Sequence, residues 1–69
     1  MNEYLKDMIK VTPSWVVHEL KSISSNDDQL LGLLEDFIER AGIMEFDGHL
    51  SRFQAEKQAL ELVKESREE

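Results

Sequence analysis

Apolar side chains recur every three or four residues along most of this chain, and the breaks between those runs divide it into four segments. Tyr4, Leu5, Met8 and Ile9 share one helical face and predict a short first helix over residues 3–10. Val11-Thr12-Pro13 interrupts it. Thr12 has N-cap chemistry, and Pro13 suits a first helical position, where an N–H would have no partner anyway, so a second helix is predicted over 13–23. Its core positions are Val16, Leu20 and Ile23, with Trp15 or Val17 on a flank. Ser24-Ser25-Asn26 is a polar break that can cap. Asp27 and Asp28 then fall in a first turn, where carboxylates meet the positive end of the helix dipole. Leu30, Leu31, Leu33, Leu34, Phe37, Ile38 and Ala41 give the third helix, over 26–41, a broad apolar face. Gly32 costs that helix about 1 kcal/mol relative to alanine, which predicts a close helix–helix approach at this point.

Gly42 suits the left-handed residue that ends such a helix. Asp47-Gly48 is a turn signal, and Ser51 with Gln54 three residues on makes a capping-box pattern. Leu50 before that cap and Ala55 after it form a weak staple. The last helix is predicted over 52–65, burying Phe53, Ala59, Leu60 and Val63. Arg52–Glu56 and Lys57–Glu61 would be i,i+4 pairs on its exposed side, each worth a few tenths of a kcal/mol. The Arg67-Glu68-Glu69 tail is expected to fray. A strand at 43–46 would have no partner in the chain. The fold class is therefore all-α: a small three- to four-helix bundle forming one domain over residues 1–69.

Size sharpens this picture. A 69-residue chain without cysteine has neither disulfide nor thiolate–metal site to hold it together. It must rely on tight helical packing or gain burial by pairing with itself or a partner. The absence of cysteine fits a cytoplasmic location. The start, Met1-Asn2-Glu3-Tyr4, has no basic stretch followed by a long apolar run, so no secretory signal is expected. The longest apolar cluster, Leu30–Leu34, contains Gly32 and is too short to span a membrane.

The net charge of −7 is unevenly placed. Residues 1–24 carry three acids and three bases. Residues 25–48 carry seven acids against Arg40 alone, leaving −6, and residues 49–69 carry five acids and four bases. Such a field repels nucleic-acid phosphates and attracts basic surfaces, although acidic helix faces also serve solubility alone.

Catalytic chemistry is hard to find. Neither His18 nor His49 stands in a recognisable nucleophile motif, and the three glycines are too scattered to cradle a phosphate. Glu45, Asp47 and His49 could converge on a cation if the turn were extended, but their spacing matches no structural metal motif. No enzyme activity, cofactor or metal is expected. Three short helices could make a helix-turn-helix unit with Arg52, Gln54 and Lys57 as readers. Glu45 and Asp47 would then lie where a DNA backbone runs, which disfavours direct nucleic-acid binding.

The run Glu39-Arg40-Ala41-Gly42-Ile43-Met44-Glu45-Phe46-Asp47-Gly48-His49-Leu50-Ser51-Arg52, with Ala55-Glu56 and Ala59, resembles a short module of small phage- and plasmid-encoded accessory proteins. That module also occurs in tails of DNA-processing proteins of mobile elements and has no defined activity. The match covers about a third of the chain. It departs at Gly42, usually alanine, and at His49, usually a second glycine. The resemblance implies a mobile-element origin and an interaction role, and brings no catalytic or ligand residues with it. A purely architectural alternative has Ile43, Phe46, Leu50 and Phe53 locking two helices at a fixed angle.

The leading expectation is a non-enzymatic interaction protein that docks an acidic, aromatic-centred surface on a basic partner, itself a handler of nucleic acid, as an inhibitor or accessory factor. The candidate contacts are Glu35, Asp36, Glu39, Glu45, Phe46, Asp47, His49 and Arg52. The alternatives are a DNA-binding regulator and a module that homodimerises through the Leu30–Ala41 face.

Overall fold

The computed structural model describes residues 3–67, with side chains to residue 66. Four helices account for most of it: α1 (Glu3–Val11), α2 (Ser14–Ile23), α3 (Asp27–Phe46) and α4 (Arg52–Arg67). No strand occurs among the described residues, so the all-α class read from the periodicity is the observed one. No helix among them is long and apolar enough to cross a membrane. Packing groups the chain into two units, Met1–Glu35 and Asp36–Glu69, with the boundary inside α3.

In the first unit the buried residues are Leu5, Thr12, Val16, Val17, Leu20, Leu30 and Leu34. Val17 joins the core rather than a flank, Ile23 is only half-buried, and Trp15 is exposed. The α1–α2 junction departs from expectation. Thr12 does not cap α2: its hydroxyl donates to the Met8 carbonyl at 2.7 Å and closes the end of α1. Pro13 stands at the N-cap instead, extended at φ −56° and ψ 140°, and its carbonyl accepts the N–H groups of Val16 and Val17 at 3.0 and 3.1 Å. The physical reason is local. A residue preceding proline is pushed out of the helical region, and a threonine hydroxyl one turn on from a free carbonyl bonds backwards.

The start of α3 is capped more fully than the sequence reading anticipated. Asn26 Oδ1 accepts the Gln29 N–H at 2.9 Å, and Gln29 Oε1 reaches back to accept the Ser25 N–H at 2.8 Å. The two contacts satisfy donors that the first helical turn would leave open. Gly32, expected to allow close helix–helix contact, is exposed, and a Cβ placed there would meet nothing within 4 Å.

The second unit contains the end of α3, the turn and α4. Phe37, Ala55, Ala59, Leu60 and Val63 are buried. Gly42 does not end α3, which continues to Phe46, and no glycine among the described residues has a positive φ. Every helix end leaves one turn of carbonyls without intrahelical partners, so running on past Ala41 moves that end to Phe46 and adds backbone hydrogen bonds along the way. Continuing through one glycine costs about 1 kcal/mol and keeps those bonds. The stop falls at Asp47-Gly48, where Asp47 N–H still bonds the Ile43 carbonyl at 2.8 Å and Leu50 N–H returns to Met44 O at 3.4 Å. The residue with left-handed backbone is His49, at φ 56°, rather than a glycine. Ser51 caps α4 as expected, its hydroxyl accepting the Gln54 N–H at 3.3 Å. Phe53, expected in the core, is 60% exposed. Of the fraying tail, Arg67 closes α4, and Glu68 and Glu69 lie outside the described residues.

Candidate functional site

The third helix brings several of the sequence-predicted residues to one face. Glu39, Ile43 and Phe46 follow at i, i+4 and i+7, a spacing that aligns side chains along a helix. All three are exposed, Ile43 by 54% and Phe46 by 77%. Phe53, in the first turn of α4 and just past the intervening loop, is a third large exposed apolar side chain of the same unit. Burial lends the architectural alternative little support at these positions: Ile43, Phe46 and Phe53 are exposed, and of the four only Leu50 is half-buried.

The reason lies in helical phase. Leu34, Phe37 and Ala41 set the inward line of α3, and a residue two positions past Ala41 sits about 200° round the helix. Ile43 is that residue. In α4 the inward line is Ala55-Ala59-Val63, each with no exposed surface, and Phe53 stands two positions before it. The i, i+4, i+8 run of Ala55, Ala59 and Val63 is visible in the sequence and was the signal that could have placed Phe53 outside.

The acids fall into different situations. Glu35, in the first unit, is exposed and accepts a hydrogen bond from the Tyr4 hydroxyl at 3.2 Å. That bond to a carboxylate, and the carboxylate's charge, raise the Tyr4 phenol above the usual tyrosine pKa. Asp36 holds Arg40 one turn on at 2.9 Å, with both side chains partly exposed. Arg52 pairs with Glu56 at 3.6 Å, as expected. Glu39, Glu45 and Asp47 form no salt bridge among the described residues. Glu45 is half-buried, and Asp47 and His49 are exposed on the turn. Lys57 does not pair with Glu61. Its Nζ lies 5.5 Å from the centroid of the Phe53 ring, within cation–π range.

Comparison with protein-family models, with curated proteins and with solved structures finds no match for this chain. The candidate site therefore has to be read from its own geometry. Among the described residues no three His, Cys, Asp or Glu side chains are grouped so as to hold a metal ion, and Glu45, Asp47 and His49 are no exception. Over residues 36–53 the chain presents three large exposed apolar side chains, Ile43, Phe46 and Phe53, interleaved with Glu39, Glu45 and Asp47, which form no salt bridge among the described residues.

Proposed function

We propose that this chain is a non-enzymatic interaction protein that docks the acidic, aromatic corner formed by the end of α3 and the start of α4 on a basic partner. The observation that carries the reading is Phe46. A helical phenylalanine 77% exposed beside unpaired Glu45 and Asp47 gains nothing for the isolated chain and supplies an anchor to a partner. A partner with an apolar pocket ringed by lysine or arginine fits both features, and a protein that handles nucleic acid has such a surface. Docking there would make this chain an inhibitor or accessory factor, in keeping with the mobile-element module that residues 39–59 resemble. Position 49, where that module carries a second glycine, has the left-handed backbone glycine adopts most easily, so the departure is conformationally consistent with the module's turn. A cytoplasmic location accompanies this reading.

Two other readings are less well supported. As DNA readers, Arg52 is already engaged by Glu56, and Lys57 lies over Phe53. Homodimerisation through the Leu30–Ala41 face would compete with the chain's own core, because Leu30, Leu34 and Phe37 are at most 3% exposed.

The test is capture of partners from the native host with wild-type protein, Phe46→Ser and the Glu45→Lys/Asp47→Lys double variant, followed by affinity measurement on the captured protein. Loss of the Phe46 ring is expected to weaken binding by about 2 kcal/mol, roughly thirtyfold, and charge reversal to remove the salt dependence. Equal capture by all three proteins would sink the proposal. Salt-sensitive binding of labelled duplex DNA that Arg52→Glu abolishes would replace it with the DNA-binding reading.

A further inference from the structure

The first unit carries a feature that the docking corner does not use. Along α2, Ser14, Val17, His18 and Lys21 recur at i, i+3, i+4 and i+7 and so form one stripe. This stripe lines a groove of about 400 Å³ together with Ile9, Lys10 and Thr12 from the end of α1. Val17 and Thr12 are buried and Ile9 half-buried, which gives the groove a partly apolar floor, while Lys10, Ser14, His18 and Lys21 are exposed.

Charge makes this groove unusual for this molecule. The chain has fifteen acids and eight Lys and Arg residues, yet two lysines and a histidine line the groove and no carboxylate does. Asp7 and Glu19 lie on the same two helices and are not among its lining residues. Among the described residues the side chains of Lys10, His18 and Lys21 have neither salt bridge nor hydrogen bond. Each lysine alone is accounted for by its place in the last turn of its helix, where a cation meets the negative end of the dipole. Their convergence with His18 on one concavity is not. The groove also adjoins the start of α2, which has no side-chain cap.

We propose that this groove binds a small organic anion, one with a phosphate or carboxylate head on a flat apolar body. Lys10 and Lys21 supply charge, and the His18 ring N–H and the Ser14 hydroxyl supply directed donors. Ile9 and Val17 contact the body. The groove, at about 400 Å³, is in the size range of small-molecule sites, and Ile9 and Val17 in its lining give an apolar body something to contact.

The test is an amide-resolved NMR titration of the full chain with phenyl phosphate, benzoate, inorganic phosphate and benzyl alcohol. Phenyl phosphate or benzoate is expected to shift resonances of residues 9–21 saturably, roughly tenfold more tightly than inorganic phosphate or the neutral alcohol. Which of the two binds better distinguishes a phosphate from a carboxylate ligand. Lys10→Gln/Lys21→Gln, at exposed positions that leave the fold intact, should weaken that binding by roughly tenfold. His18→Ala should weaken it independently. Non-saturable shifts, equal binding of inorganic phosphate or of benzyl alcohol, or unchanged affinity in the double variant would each overturn the proposal.

Discussion

His49 and Gly48 divide the work of the α3–α4 turn in a way their identities do not suggest. His49 bears the left-handed backbone, at φ 56°, where any Cβ is crowded by the following carbonyl. Gly48 has no positive φ, yet a Cβ there would sit 2.7 Å from the Met44 carbonyl oxygen, so its lack of a side chain is steric necessity. His49→Gly is therefore expected to stabilise the protein by about 0.5 kcal/mol, the relief of strain being partly offset by the freer unfolded chain. Gly48→Ala should destabilise it by about 1–2 kcal/mol, because a backbone carbonyl cannot yield as a flexible side chain would. Urea unfolding of both variants checks the pair, and the reverse order of stability would show that the turn residues have been misassigned. Tyr4 offers a second test at this scale. It is the chain's one tyrosine, so tyrosinate absorbance reports it alone. Its raised pKa means the folded state holds the phenolic proton more tightly than the unfolded state does. The contact with Glu35 contributes fully below the unfolded tyrosine pKa and is lost as pH rises through the folded value. Glu35→Gln should lower the titration midpoint, and an unmoved midpoint would exclude the carboxylate as its cause.

At the scale of elements, α3 is the helix least predictable from local signals. It crosses two glycines, neither of which any neighbour requires: a Cβ at Gly32 or Gly42 would meet nothing within 4 Å. Alanine at either position should stabilise the fold by about 0.5–1 kcal/mol through helix propensity and unfolded-state entropy. The effects should add within a few tenths of a kcal/mol, since the sites lie ten residues apart on one helix. Thermal unfolding followed by circular dichroism measures this, and a loss at Gly32→Ala would restore the close-contact role the sequence suggested for it. The caps show how much of the chain's punctuation was legible. Ser51 was recognised with its partner Gln54, and Asn26 by residue type alone. Gln29 completes an Asn-x-x-Gln spacing, itself a capping-box signal written in the sequence. The Thr12 hydroxyl could accept an N–H of the following helix or donate to a carbonyl of the preceding one, and sequence does not say which helix a hydroxyl will join.

For the whole molecule, charge is a global term that salt can test. A net charge of −7 is accompanied by two ion pairs among the described residues, Asp36–Arg40 and Arg52–Glu56, so much of the self-repulsion is uncompensated. Added salt at moderate concentration should raise Tm by screening it, and Glu45→Lys/Asp47→Lys should narrow that salt dependence without loss of helix content. A Tm independent of salt would show that the acidic middle of the chain carries no energetic cost. It would also remove the argument that its carboxylates are kept for a partner. The proposed docking corner and the proposed anion groove lie in different units and are tested by different variants, so either reading can fail alone.

Local sequence signals specify the helical class, two of the three breaks between helices to within a residue or so, the capped start of α4 and the acidic bias of the middle segment. These are local properties: a 3.6-residue period, cap chemistry and formal charge need only neighbours along the chain. Periodicity picks out much of the core, Val16, Leu20, Leu30, Leu34, Phe37, Ala59, Leu60 and Val63, and the packed fold decided the positions on the margins of those faces. Phe53 is exposed and Val17 buried, against expectation, because burial depends on the phase of an entire helix against its surroundings, and Ala55 is buried in line with Ala59 and Val63. The end of α3 was likewise decided above the local level. One glycine's cost of about 1 kcal/mol is smaller than the hydrogen bonds and side-chain contacts that a further helical turn secures. That extra turn brings Ile43 and Phe46 onto the exposed face with Glu39, and so creates the corner on which the proposed function rests.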